Sequence, residues 1–181
     1  MSAPLQPGPD DQPRASCRGV RWPEDLDTIR RLFQEYRQWL ADHRDSAITS
    51  EPRVRSGLAL VDRLIEELPG GYGPPRGDIL LWLEDDRLVA CGALRELEPR
   101  VGEIKRIYVR SDYRGKEFGH PFVRALIDRA RELGYERLRA DALPSMRAAI
   151  EFYQELGFRP VAAFWPHPVA GALFFEREIT D

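Results

Sequence analysis

One strand-to-helix connection is the most informative stretch of this sequence: Val109-Arg-Ser-Asp-Tyr-Arg-Gly-Lys-Glu-Phe-Gly-His-Pro121. It contains two glycines flanked by basic side chains, and it leads directly into a predicted helix. Such a loop aims several backbone N–H groups at one point, and the dipole of the following helix adds partial positive charge there. Two interpretations follow: a site for a phosphate or pyrophosphate, and a solvated turn with a glycine cap. The run is neither GxxxxGK[ST] nor GxGxxG, so the two common nucleotide-binding fingerprints do not apply.

The charge of the chain is concentrated around this connection. Residues 100–120 contain six basic and three acidic side chains, whereas the whole chain has 27 Lys and Arg against 30 Asp and Glu, a net charge of -3. A protein that binds nucleic acid along an extended surface is usually basic overall. The local excess therefore favours a compact phosphate-bearing ligand over a polymer.

Length and composition exclude several other classes of protein. The chain has 181 residues, of which 43% are hydrophobic and 31% charged, so one domain with a real core is expected. Two cysteines and three histidines make a disulfide scaffold or a structural zinc site improbable, and we expect no metal. No apolar run approaches the roughly 20 residues of a membrane span, and the N-terminus lacks the apolar centre of a signal peptide. These observations predict a cytoplasmic protein that does not bind membranes.

Working outward from the connection, hydrophobic periodicity predicts the element order β-α-α-β-β-β-α-β-α-β-β. The predicted helices span residues 26–40, 56–68, 119–133 and 145–156. The predicted strands span residues 15–22, 78–84, 87–95, 103–109, 137–142, 158–164 and 172–179. Consecutive strands suggest an antiparallel meander, and the later β-α-β unit requires a parallel pair. We therefore predict an α/β chain of the α+β type, in which helices flank a mixed, mostly antiparallel sheet. Residues 1–14, with four prolines, are predicted to be a disordered tail, and 15–181 a single domain.

Two motifs resemble those of the GCN5-related N-acetyltransferase (GNAT) family. After the strand Glu103-Ile-Lys-Arg-Ile-Tyr-Val109, the run Arg114-Gly-Lys-Glu-Phe-Gly119 matches the family's pyrophosphate loop at its first and last positions. Downstream, Ala149-Ile-Glu-Phe-Tyr-Gln-Glu-Leu-Gly-Phe158 places Tyr153 four residues before a Gly-Phe pair, as in the family. The resemblance implies a GNAT-like acyl-CoA acyltransferase fold.

The resemblance also implies a cofactor and the residues that bind it. Acetyl-CoA would contact Ile107, Tyr108, Val109, Arg114, Gly115, Lys116, Glu117, Phe118, Gly119, His120 and Tyr153. Glu117 departs from the family pattern, because a carboxylate replaces the usual glycine beside the pyrophosphate. Met146 replaces an asparagine that is common in the family.

The reaction implied by the resemblance is direct transfer of an acetyl group to a primary amine of a small molecule or peptide. Tyr153 resembles the family's general acid, although its position on the apolar stripe also fits simple packing. Glu103 occupies the position of a general base, or else it is a surface residue paired with Lys105 or Arg106. The alternative function is a non-catalytic protein of the same fold that binds acyl-CoA or serves a regulatory role.

The acceptor side is predicted from the fold that the resemblance implies. Its walls would come from the two N-terminal helices and the last strand pair. Tyr36, Tyr72, Trp165 and His167 are the candidate substrate-binding residues, since aromatic rings attract ammonium groups. The expected partners are acetyl-CoA and an amine, without nucleic acid, and a homodimer is compatible with the family.

Overall fold

The computed structural model describes residues 15–42, 52–115, 118–167 and 170–180, and the predicted tail lies outside them. The strands are β1 Ala15–Gly19, β2 Asp78–Glu84, β3 Arg87–Glu98, β4 Val101–Val109, β5 Arg137–Ala142, β6 Arg159–Val161 and β7 Leu173–Glu178. The helices are α1 Leu26–Asp42, α2 Pro52–Glu66, α3 Gly119–Glu132 and α4 Arg147–Glu155. The predicted order of elements is confirmed. Among the described residues, no helix combines the length and the apolar character needed to cross a membrane.

The strands form one seven-stranded sheet in the order β1-β2-β3-β4-β5-β7-β6. Every neighbouring pair is antiparallel except β4 and β5, which run parallel. The connection from β4 to β5 passes through α3, as a parallel crossover requires. The prediction of a mixed, mostly antiparallel sheet flanked by helices is therefore confirmed.

Each face of the sheet has its own hydrophobic core. On one face, α3 and α4 bury a stripe that includes Phe122, Leu126 and Tyr153. On the other face, α1 and α2 bury Ile29, Phe33 and Val61 among others. These side chains recur at helical spacing because each helix packs one stripe against the sheet and leaves the other stripe in water. The sheet is thus covered on both sides.

Four predicted boundaries were wrong by three or more residues, among them the end of β3, which is Glu98 rather than Arg95. The second helix begins at Pro52 rather than Ser56, because proline is tolerated in a first helical turn where its missing N–H has no partner to lose. β1 ends at Gly19 rather than Trp22. β6 covers only 159–161, so residues 162–167 leave the sheet and form a connection that carries Trp165 and His167.

Candidate active site

β4 and β5 diverge shortly after they pair. Their ladder is limited to Val101–Glu103 on β4 and Arg137–Arg139 on β5, although both strands continue further. The main-chain N–H and C=O groups of β4 beyond Glu103 therefore face a gap on the β5 side. Ile107, Tyr108 and Val109, the predicted backbone contacts of the cofactor, lie along this edge. A gap lined by main-chain groups suits an extended ligand that carries amides of its own.

A β-bulge in β4 accompanies the gap. Between the pairs Cys91↔Tyr108 and Ala93↔Lys105, two β4 residues, Arg106 and Ile107, oppose Gly92 alone. Arg106 takes a positive φ of 57° there, a conformation that side chains other than glycine seldom adopt. Because of the extra residue, the side chain that follows Lys105 does not alternate to the opposite face of the sheet. Lys105 and Arg106 consequently project on the same face, the one covered by α1.

The predicted anion loop ends at the N-terminus of α3. The helix begins at Gly119 after Phe118, and among the residues that the structure describes no side-chain hydrogen bond caps its first N–H groups. Gly115 has φ 76°, the left-handed conformation that favours glycine. The His120 ring lies 3.1 Å from Glu155 Oε2 and packs on Phe152, which leaves it beside the helix start. Lys116 and Glu117 lie outside the described residues.

Arg114 folds back from this loop toward α1. Its Nε donates a hydrogen bond of 3.0 Å to the carbonyl of Val109, and its guanidinium lies 4.9 Å from the Trp39 ring and 5.9 Å from the Tyr108 ring. A second tie between α1 and the end of β4 comes from Arg110, which forms two hydrogen bonds with Glu35. The first arginine of the motif is thus held at the mouth of the gap by aromatic rings and by the backbone.

Tyr153 is buried in the core beneath the gap. Its ring packs on Phe158 and Phe175, at centroid distances of 5.3 and 5.8 Å. Burial raises the pKa of its hydroxyl above the ordinary value, and the negative charges of Asp141 and Glu103 raise that pKa further. Those two carboxylates belong to β5 and β4. The hydroxyl is therefore neutral at pH 7 and acts as a donor.

A chain of charged side chains crosses the same region. Glu103 is fully buried, and its Oε2 accepts from Arg95 at 2.7 Å, while its Oε1 lies 3.0 Å from Lys105 Nζ. Lys105 Nζ also donates to Asp141 on β5. The predicted pairing of Glu103 with Lys105 is present, but it is buried rather than exposed. Asp141 Oδ2 in turn lies 3.4 Å from His167 Nε2.

The neighbouring side chains determine the pKa of Asp141. Burial alone would raise it, but the hydrogen bonds and charges of His167 and Lys105 prevail and lower the pKa from 3.8 to about 2. Trp165 covers the cluster, with Lys105 Nζ 4.8 Å from its ring and the His167 ring 4.7 Å away. We call Glu103, Lys105, Arg106 and Asp141 the charged face.

Tyr36 and Tyr72 lie on the α1 side of this region, in different surroundings. Tyr36 stacks with Trp39 and contacts Tyr108, and the Arg106 guanidinium lies 5.8 Å from its ring. Tyr72 is 2% exposed and packs against Phe33 in the core. The Tyr72 hydroxyl and Arg106 Nε are buried donors with no hydrogen-bond partner among the described residues.

The structure brings the predicted Glu103, Trp165 and His167 together with two residues that sequence reasoning had not placed in the acceptor region, Lys105 and Arg106. Asp141 on β5 completes the cluster. No residue pattern marks the bulge that turns Arg106, and Lys105 and Asp141 lie on different strands. The Trp165-Pro-His167 run after β6 was the sequence feature that indicated this acceptor region.

Comparisons with known proteins agree with this geometry. The model of the acetyltransferase (GNAT) family matches residues 26–158. An uncharacterized N-acetyltransferase of Schizosaccharomyces pombe is 28% identical over 169 residues, covering 91% of this chain and 95% of the relative. A putative acyl-CoA N-acyltransferase from Klebsiella pneumoniae has 27% identity and a TM-score of 0.57, covering 74% of this chain and 94% of the other. The structure of yncA, a putative acetyltransferase from Salmonella typhimurium with its cofactor acetyl-CoA, has 18% identity, a TM-score of 0.62, and coverage of 92% and 95%.

Proposed function

The chain belongs to the acetyltransferase (GNAT) family and is an acetyl-CoA-dependent acyltransferase, and from this premise we propose that it transfers the acetyl group directly to a primary amine of a small molecule or peptide. The observation that carries the proposal is the juxtaposition of the β4–β5 gap, the Tyr153 hydroxyl and the buried Glu103. Together they supply a place for the thioester, a hydrogen-bond donor and a carboxylate within one region.

The gap and the loop support a binding mode for the cofactor. The pantetheine arm would lie along β4, where the main chain of Ile107, Tyr108 and Val109 can pair with its amides and polarise the thioester carbonyl. The pyrophosphate would lie at the N-terminus of α3, within reach of Arg114 and the backbone of Gly115 and Gly119. The choice of acetyl-CoA as the cofactor is supported by the yncA structure, which has a similar fold and contains its cofactor acetyl-CoA.

The two side chains would act at opposite ends of the reacting bond. Glu103 takes a proton from the acceptor ammonium, directly or through water, and the neutral nitrogen then attacks the carbonyl carbon. As the carbon–sulfur bond breaks, the sulfur leaves as a thiolate that accepts a hydrogen bond from the Tyr153 hydroxyl, and the second proton that the nitrogen loses ends on this sulfur, so the products are the amide and the free thiol. Its raised pKa keeps the hydroxyl protonated at pH 7, so the hydroxyl can donate this hydrogen bond without losing its proton. Arg95 and Lys105 hold Glu103 in place through their ion pairs.

The experiment is release of free thiol from acetyl-CoA across a panel of amines. Tyr153→Phe retains the ring that packs on Phe158 and should lower kcat by about 100-fold or more, with little change in the acetyl-CoA KM. Glu103→Gln should lower kcat/KM most at pH values where the acceptor is an ammonium.

Tyr135→Phe is the matched control for Tyr153→Phe. Tyr135 is equally buried, but its ring packs beside Gly102 in the paired part of β4 and its hydroxyl donates to the carbonyl of Arg76. This variant should lose stability but retain kcat. Turnover that is unchanged in Tyr153→Phe would remove the tyrosine from the mechanism. Binding of acetyl-CoA with no turnover of any amine would favour the non-catalytic alternative. The cytoplasmic location and the homodimer stay predictions.

A further inference from the structure

Arg106 differs from the other cations around it. Arg95 and Lys105 face Glu103, Lys105 also faces Asp141, and Arg139 faces Glu98 and Glu176. Within the described part of the chain, Arg106 has no carboxylate at ion-pair distance. Arg95 and Lys105 together balance Glu103 and Asp141, so Arg106 is the third cation against two carboxylates when Arg95 is counted with the charged face.

Glu103 and Asp141 already face cations of the protein, so Glu103 can still take one proton, but neither carboxylate is left to hold a second ammonium group of an acceptor. The ammonium of Lys105 lies between Glu103 and Asp141 and beneath Trp165. Lys105 thus occupies the position between two carboxylates where the second ammonium group of a polyamine acceptor would bind. A polycationic acceptor therefore meets paired carboxylates and an unpaired guanidinium, which repels it.

The buried hydrogen-bond donors without a partner indicate that the acceptor substrate carries a negative charge. Arg106 Nε and the Tyr72 hydroxyl are buried and donate to nothing among the described residues. Leaving buried donors without a partner is unfavourable, and the penalty is largest for a charged group. A carboxylate offers several lone pairs and matches the planar fork of a guanidinium, so one such group could satisfy Arg106 Nε and a neighbouring donor.

The backbone holds the guanidinium in this position. The β4 bulge, with its positive φ at Arg106, turns the side chain onto the charged face, and the Tyr36 ring lies 5.8 Å from the guanidinium. Arg106 interacts with the Tyr36 hydroxyl but has no carboxylate at ion-pair distance among the described residues, and a strained conformation at such a cation is typical of a functional site.

We propose that Arg106 binds a carboxylate of the acceptor, so that the acceptor is an amine that also carries a carboxylate, as an amino acid does. The transfer step in this inference rests on the proposed function, but binding of the carboxylate does not. Bound in this way, the acceptor would present its amino group toward Glu103 and the gap.

The experiment compares each amino acid with its methyl ester and with the corresponding decarboxylated amine, by thiol release at saturating acetyl-CoA. Calorimetry on the protein saturated with coenzyme A measures binding of the same compounds without turnover. The wild type should favour the carboxylated member by about 10- to 100-fold in kcat/KM, and Arg106→Gln should abolish that preference. Arg106→Lys retains the charge without the fork and should recover only part of it.

Arg139→Gln is the matched control, because it removes a paired cation from the neighbouring strand. It should leave the preference intact, and melting curves on all variants establish that they fold. Equal turnover of the amino acids and of the compounds without a carboxylate, by both the wild type and Arg106→Gln, would overturn this inference and leave the proposed function standing. An effect of Arg106→Gln confined to the acetyl-CoA KM would also overturn it. Carboxylate binding that requires Arg106, without transfer to any amine, would uphold the inference and refute the proposed function.

Discussion

Asp141 should stabilise the fold by an amount that depends on pH. In the folded protein its pKa is about 2 against an ordinary value of 3.8, since the hydrogen bonds and charges of His167 and Lys105 outweigh the effect of burial. Each pKa unit corresponds to about 1.4 kcal/mol, so the ionised carboxylate contributes about 2.5 kcal/mol to the free energy of unfolding at neutral pH. Its side chain is 13% exposed, so solvent screens the interaction little.

The perturbation is Asp141→Asn, measured by urea unfolding between pH 7 and pH 2. Because the folded pKa is lower than the unfolded one, the contribution is complete above about pH 4 and is lost as the pH falls toward 2. The variant should therefore be less stable than the wild type by about 2.5 kcal/mol at pH 7, and this difference should shrink steadily below pH 4. Acetyl transfer should also fall, since Lys105 and His167 both lose their partner on β5.

Asp25 provides a control with the same titration and a different location. A hydrogen bond from Arg18 lowers its pKa to about 2, against the effect of burial and with help from the Arg21 backbone. It lies between β1 and α1, away from β4 and β5. Asp25→Asn should reproduce the loss of stability and its pH dependence, but should leave acetyl transfer intact. A stability difference for Asp141→Asn that is the same at pH 3 and pH 7 would refute the electrostatic reasoning.

Two glycine substitutions test the loop and the packing beneath the bulge. Gly115→Ala places a Cβ at φ 76° and should cost about 1 kcal/mol of stability and weaken acetyl-CoA binding measured by calorimetry, whereas Gly70→Ala, at φ 46° in a different loop, should leave that affinity unchanged. Gly92→Ala would bring a Cβ within 2.6 Å of Leu126 Cδ1, so chemical denaturation should show a loss of about 1–3 kcal/mol. A neutral Gly92→Ala would mean that α3 can shift away from the sheet.

The regular elements could be predicted because their hydrophobic periods are strong. α1 and α3 each bury one stripe, and the 3.6-residue spacing of that stripe is visible without any tertiary information. β2 and β5 were predicted to the residue, as they are short apolar or alternating runs between turn signals. Errors fell at element ends, such as Pro52, where polar side chains give no period to read.

The site was predicted only in part, since its chemistry depends on contacts between distant segments. The loop and Tyr153 were found from motifs. By contrast, the Lys105–Asp141 contact joins residues 36 positions apart on neighbouring strands, and the pairing register of those strands decides whether they meet. A sequence with a strict period of two places Lys105 and Arg106 on opposite faces. Only the extra residue of the bulge places both on one face.

The bulge in β4 thus connects the two halves of the proposed reaction. It lies just beyond the point where β4 stops pairing with β5, and so it accompanies the gap proposed for the cofactor. The same irregularity turns the Arg106 guanidinium toward the side from which the acceptor would arrive. Removing the extra residue would move every side chain on one side of the bulge to the opposite face. The proposed cofactor position and the proposed charge of the acceptor would therefore both depend on one backbone feature, and this shared dependence would offset the cost in stability of a bulge with unfavourable φ.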